Sequence, residues 1–211
     1  MIPIPSIERL AGLIPVLDQV SKRQIQRLSS AELAELTGIP AHTLRRDISL
    51  LDGSLGTASG YDPTLLTAAI EKTLGLSKET GACVVGLGLL GQSLLNYSEW
   101  NTSGYVLKAG FDSDVNTVER ISSRIPCFPA YEIPEMIGRL GIRIAILAVP
   151  AEAVGITLER LIKGGIKAVL NFAPVFINPQ TCGIPVRNMH LLGELRVLST
   201  LLAIEDKRSH S

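Results

Sequence analysis

A run of four apolar residues, Ala82-Cys83-Val84-Val85, leads without a break into Gly86-Leu87-Gly88-Leu89-Leu90-Gly91. This order of a short apolar run, spaced glycines and a helical pattern restricts the chain to a strand that turns sharply into a helix. Gly86 permits the tight turn. Gly88 lets the backbone approach a pyrophosphate with no Cβ in the way, and Gly91 allows the helix to pack closely on the strand. The free N–H groups at the helix start, around Leu87, Leu89 and Leu90, can then donate to a diphosphate. The next apolar run ends in Gly110-Phe111-Asp112, with the acid 21 residues after Gly91. A carboxylate at that point can accept from an adenosine ribose diol and would repel a 2′-phosphate, which favours NAD and NADH over their phosphorylated forms. Taken singly, a glycine-rich turn without a ligand and an ordinary strand-end carboxylate explain the same residues.

The segment after residue 80 has the pattern of an α/β domain. Residues 105–111, 142–149 and 168–170 read as further strands, and 142–149 is strongly apolar without polar alternation, as a buried parallel strand requires. Helical patterns lie between them at 89–97, 115–122, 133–140 and 152–163. Strands alternating with helices imply a doubly wound parallel sheet. Ala148-Val149-Pro150 and Asn171-Phe172-Ala173-Pro174 close the third and fourth runs. Ligands bind at the C-terminal strand ends of such sheets, so these loops are candidates for the nicotinamide half of the cofactor. Short proline-containing loops of no functional consequence would read the same way.

The first 80 residues read as helical. Ser29 or Ser30 is placed to cap a helix over 31–36 that stops near Gly38, and Ile39-Pro40 opens a second helix with Leu44, Ile48 and Leu51 on one face. This is the spacing of a helix-turn-helix. Residues 22–46 carry Lys22, Arg23, Arg27, Arg45 and Arg46 against Glu32 and Glu35, a net of +3. His42, Thr43, Arg45, Arg46 and Ser49 are the candidates for contact with DNA. A small helical subdomain with a solvated basic face fits the pattern equally well.

Composition narrows the classes. Lys+Arg and Asp+Glu are both 20, so a general basic coat for nucleic acid is excluded. With 46% hydrophobic and 19% charged residues the chain can fill a core. No apolar run is long enough to span a membrane, and MIPIPSIERL lacks the basic and apolar regions of a signal peptide. Cys83, Cys127 and Cys182 have no metal-ligand spacing and suit no disulfide framework. The expected location is cytoplasmic. Of His42, His190 and His210, none has a carboxylate partner in sequence, and little chain remains for a substrate domain. A protein that binds the dinucleotide without turning it over is expected, with no catalytic residue and no metal; an NAD-dependent dehydrogenase is the weaker alternative.

The chain resembles the Rex family of redox-sensing transcriptional repressors over nearly its whole length. The resemblance is carried by IPIPSIERL at 2–10, SSAELAELTGIPAHTLRRDIS at 29–49, GYD at 60–62, VVGLGLLGQSLLNY at 84–97, FDSD at 111–114, IAILAVPAEA at 144–153, KAVLNFAPV at 167–175 and VRN at 186–188. It implies a winged-helix DNA-binding domain over 1–78, a Rossmann domain over 79–188, and a C-terminal helix and tail over 189–211 exchanged between the subunits of a homodimer. It further implies that NADH binding releases the repressor from an AT-rich palindromic operator. Tyr97 matches the family tyrosine that responds to the nicotinamide, and Arg9 an arginine linking that response to the DNA-binding domain. Two positions depart from the family pattern. The wing stretch Gly56-Thr57-Ala58-Ser59 lacks the usual basic residues, which weakens the expected hold on operator phosphates. His190 stands where an acid commonly pairs with the tyrosine and arginine, and a protonated histidine would repel the arginine. A sensor that has lost normal operator binding and acts through protein partners is the alternative these departures suggest.

The Asp112 reading has a direct consequence. In a calorimetric or fluorescence titration NADH is expected to bind far more tightly than NADPH, and Asp112→Ala to weaken NADH. Equal affinity for the two reduced cofactors would remove the ribose assignment.

Overall fold

Leu10, Leu13, Leu17 and Val20 share one helical face, and helix α1 (Ile4–Lys22) buries all four. This computed structural model describes residues 2–53, 55, 60–101 and 104–209. The chain divides into two compact units, Met1–Lys78 and Glu79–Ser211. In the first, α1 continues through Pro15. That proline removes one helix hydrogen bond, and the buried leucine face holds the helix together across it.

Helix α2 (Ser30–Thr37) begins with a reciprocal cap: Glu32 N donates to Ser29 Oγ at 3.2 Å and Ser29 N to Glu32 Oε2 at 2.7 Å. It ends at Gly38 in the left-handed region, φ 70°. Helix α3 (Ala41–Ile48) follows after Pro40, turning Leu44 and Ile48 inward. Helix α4 (Pro63–Leu74) is capped by Asp62, whose Oδ1 accepts from Thr64 N and Leu65 N at 2.9 and 3.1 Å. Leu33, Leu44, Ile48, Leu66 and Ile70 join the buried face of α1 in one core. Leu28 and Tyr61 exchange both backbone hydrogen bonds, at 2.9 and 2.8 Å, forming an antiparallel bridge. The uncharged stretch Gly56-Thr57-Ala58-Ser59 lies outside the described residues.

The second unit is a six-stranded parallel sheet in the order β3-β2-β1-β4-β5-β6. Its strands are β1 (Thr80–Val85), β2 (Tyr105–Asp112), β3 (Cys127–Pro129), β4 (Ile142–Leu147), β5 (Ala168–Asn171) and β6 (Val186–Asn188). Four of these correspond to the apolar runs. The edge strands β3 and β6 are three residues long, too short to carry a period, so sequence reading passes over them. Helices α5 (Leu89–Leu95), α6 (Val115–Arg120), α7 (Ile133–Arg139) and α8 (Val154–Lys163) fill the crossovers, and the short α9 (Pro179–Cys182) precedes β6. Alternate strand residues feed two layers. Cys83, Val85, Ala145 and Leu147 pack with Ile133, Ile137 and Leu161, while Ala82, Val84 and Ile146 pack with Leu87 and Leu95.

Helix α10 (Leu191–Ser209) takes up most of the stretch 189–211 read as a C-terminal helix and tail. The stretch from Glu205 to Arg208 is helical. Its residues are compatible with a helix, and Lys207 and Arg208 in the last turn complement the helix dipole.

One ion pair ties the first unit together. Arg9 Nε donates to Asp47 Oδ2 at 2.5 Å and Arg9 Nη2 to Asp47 Oδ1 at 2.9 Å, and Asp47 is buried. The hydrogen bonds from Arg9 hold the Asp47 carboxyl below its ordinary range. A depressed carboxylate pKa adds stability that is present above the unfolded value, about 3.9, and is lost as pH falls through the lower folded value. Asp47→Asn is therefore expected to lower the urea midpoint at neutral pH. The gap from wild type should close as the pH is taken below about 4. A gap that stays constant with pH would show that the lost stability is not the ion pair's.

Candidate functional site

The strand order turns back between β1 and β4, and a cavity lies at the C-terminal ends of these two strands. Gly86 N donates to Phe111 O and Ala148 N to Val85 O, both at 2.8 Å, which fixes the three strand ends side by side. Gly86 has φ +92°, and a Cβ there would run into the carbonyl of Ala148. A Cβ on Gly91 would run into the carbonyl of Gly86. Gly88 differs: its Cβ would meet nothing within 4 Å. It faces open space at the start of α5, where no side chain caps the helix. Two glycines therefore shape the loop, and the third keeps a cradle clear for a ligand. This fits a diphosphate held by backbone N–H groups.

Leu87 is fully buried, and its backbone N–H donates to Asp112 Oδ2 at 2.6 Å. Asp114 N donates to Asp112 Oδ1 at 2.8 Å. The Leu87 N–H, expected to be free for a diphosphate, is instead taken by the carboxylate expected to hold a ribose, which fastens the glycine loop to the end of β2. That carboxylate has about four lone-pair sites, so both roles are compatible. Gly86, Gly88, Asp112, Ala148, Val149 and Pro150 all line one cavity of about 490 Å³. Leu89 and Leu90 lie outside it, at 91% and 46% exposure.

The loop after β5 is arranged otherwise. Asn171 is buried, and its Nδ2 donates to Val175 O at 2.7 Å and Asn188 Oδ1 at 2.8 Å while its Oδ1 accepts from Ala173 N at 3.0 Å. Its side chain organises the loop and is not directed at the cavity. Phe172 is half-buried, Ala173 buried and Pro174 exposed, and none of the four lines the cavity. Sequence reasoning missed part of the opposite wall, where Ala153, Ile156, Thr157 and Arg160 line the same space. Their helical spacing was the available signal.

Tyr97 is exposed and packs edge-on against Trp100 at 5.8 Å between ring centroids. His190 is exposed just before α10, where its carbonyl accepts from Gly193 N and Glu194 N at 2.8 and 3.2 Å. Among the described residues no hydrogen bond joins Tyr97 and His190. Burial pushes the Cys83 thiol far up, and raises Cys127, which lies in β3. Among the described residues no group of His, Cys, Asp and Glu is arranged to hold a metal, and no helix is long and apolar enough to cross a membrane.

In the first unit, α3 turns Leu44, Asp47 and Ile48 inward and leaves His42, Arg45, Arg46 and Ser49 exposed, with Thr43 half-buried. Arg45 Nη1 donates to Ser30 Oγ at 2.8 Å, bridging α3 to the start of α2. Ser49 Oγ donates to Arg46 O at 2.6 Å. The expected DNA-contacting residues thus share one solvated face.

Residues 1–49 match the family described as "Putative DNA-binding protein N-terminus", and residues 77–175 match the CoA binding domain family. The chain is 34% identical over 199 residues to the redox-sensing transcriptional repressor Rex of Streptomyces coelicolor, covering 94% of this chain and 76% of that protein. It is 31% identical to the Rex of Desulforamulus reducens, covering 98% of each. Among solved structures it is similar to RSP, a Rex-family repressor, with 29% identity, a TM-score of 0.87, and 100% of this chain and 99% of that one covered. RSP in complex with beta-NAD+ and operator DNA matches with a TM-score of 0.86 at 30% identity, covering 100% of this chain and 96% of that one.

The glycine geometry separates two substitutions. Gly88→Ala is expected to fold with an unchanged melting temperature and to lose nucleotide affinity, because its methyl enters only the cradle. Gly91→Ala is expected to lower the melting temperature as well, since backbone must move. Thermal unfolding alongside titration distinguishes them, and a destabilised Gly88→Ala would show that the cradle is not open space.

Proposed function

The chain belongs to the Rex family of redox-sensing transcriptional repressors, and on that premise we propose that it works as a homodimer whose hold on operator DNA is set by NADH at the glycine loop. The observation that carries this reading is the whole-chain likeness to a repressor solved both with beta-NADH and with beta-NAD+ and operator DNA. The reading is of a cytoplasmic regulator and not an enzyme, and the likeness does not favour a sensor that acts only through protein partners.

When bound, the nicotinamide supplies a ring that is uncharged when reduced and cationic when oxidised. Gly88 and the start of α5 receive the diphosphate through backbone N–H groups, and Asp112 accepts from the adenosine ribose. An apolar surrounding disfavours the cationic ring by desolvation. Only such a difference in affinity can shift the protein between two states. The loops at 148–150 and 171–174 are assigned to the nicotinamide side through their backbone and apolar surfaces.

In the DNA-binding unit α3 is the recognition helix, with His42, Thr43, Arg45, Arg46 and Ser49 toward the groove. Half-sites have fixed separation, so a change in the spacing of two recognition helices releases the operator. Arg9 reaches this helix through Asp47. Tyr97 and His190 are assigned to the network that carries the nicotinamide state. The exposed leucines of α10 supply the surface by which a second copy is held.

Fluorescence anisotropy on an AT-rich palindrome tests the reading. Binding is expected at low salt without NADH, and release on adding NADH. Arg46→Ala should weaken binding roughly tenfold, as loss of one base or phosphate contact does. An absence of binding at low salt would discard the operator reading and leave the protein-partner sensor.

A further inference from the structure

The cavity beside the glycine loop has two charged walls. Asp112 stands on one and Arg160 of α8 on another, and no ion pair joins them. Arg160 is half-buried, and among the described residues its guanidinium has no hydrogen-bond or ion-pair partner. One turn before it on the same helical face, Thr157 is buried and lines the same cavity. Ala130, Ala153 and Ile156 complete this side with apolar surface.

The glycine loop accounts for a diphosphate and Asp112 for a sugar. What remains is a slot with apolar walls and one planar cation, with no carboxylate on that side. A guanidinium is weakly hydrated and stacks well on aromatic faces. A 2′-phosphate is the other group it would take, but Asp112 in the same cavity disfavours that. We propose that Arg160 is a specificity-determining residue for the adenine base, providing a cationic platform for the ring face between the apolar walls. This rests on the dinucleotide reading of the same site. It assigns a role to a residue that in sequence is an ordinary basic position near the end of a helix.

The test is isothermal titration of the full chain with NADH and with ADP, which shares the base, sugar and diphosphate. Arg160→Ala is expected to weaken both ligands by the same factor, roughly five- to thirtyfold, with the unliganded melting temperature unchanged. Arg160→Lys keeps the charge and loses the plane, so it should recover only part of the affinity. The assignment is overturned if Arg160→Ala leaves NADH within about twofold, if NADH weakens while ADP does not, or if lysine restores binding fully. A wild-type chain that binds neither ligand overturns the cofactor reading itself and this inference with it.

Discussion

The contact on which the nucleotide site depends is between two glycines. Helix α5 starts where it does because residue 91 has no Cβ to strike the carbonyl of Gly86. That closeness seats Leu87 as a buried peg between sheet and helix, a placement worth roughly 1.5–3 kcal/mol for a leucine side chain. With Leu87 fixed, its N–H reaches Asp112 at the end of the neighbouring strand. The loop is thus tied at both ends, and Gly88 between them is left facing open space. A cradle made this way is preorganised, since no loop has to be ordered for a ligand to enter it.

Much of this was legible in sequence because each part has a distinct cause. Buried parallel strands must be apolar on both faces, so β1, β2, β4 and β5 stand out as runs. Spaced glycines followed by a strand-end acid mark the loop and its partner. The rest was hidden for equally physical reasons. The three-residue strands at the sheet edges have no room for a pattern. Ala153, Ile156 and Thr157 carry no chemistry that attracts notice, and Arg160 reads as a solvated helix residue until the fold places it beside Asp112. Asn171 shows the opposite error. A polar residue at a strand end looks like a ligand contact, yet its amide is committed to Val175 and Asn188. Sequence gives the residue type at the strand end but not the direction of its side chain.

The first unit solves a different electrostatic problem. An outward carboxylate on α3 would be repelled by a phosphate-rich surface. Asp47 lies between Arg46 and Ile48, and α3 turns it inward beside Leu44 and Ile48. A carboxylate buried alone would be costly. Arg9 from α1 meets it with two hydrogen bonds, and Ser6 accepts from the same guanidinium at 3.3 Å. The pair and the buried Leu44 and Ile48 lie on one face of α3, and His42, Arg45, Arg46 and Ser49 are left exposed on the other.

Helix α10 leaves its apolar residues uncovered in the single chain. Leu191, Leu195, Leu198 and Leu202 are spaced by four, three and four residues, the seam that packs against another apolar surface, and all four are about half exposed or more. Along the helix from Leu191 to Arg208 every described side chain is exposed. A continuous apolar stripe of this length is rarely left in water by a monomer. A 19-residue helix with Glu194 in its first turn and Lys207 and Arg208 in its last is well formed by itself. Its sequence therefore favours helix formation locally but leaves the apolar seam without a partner. A second copy of the chain presenting the same stripe is one surface that would cover it.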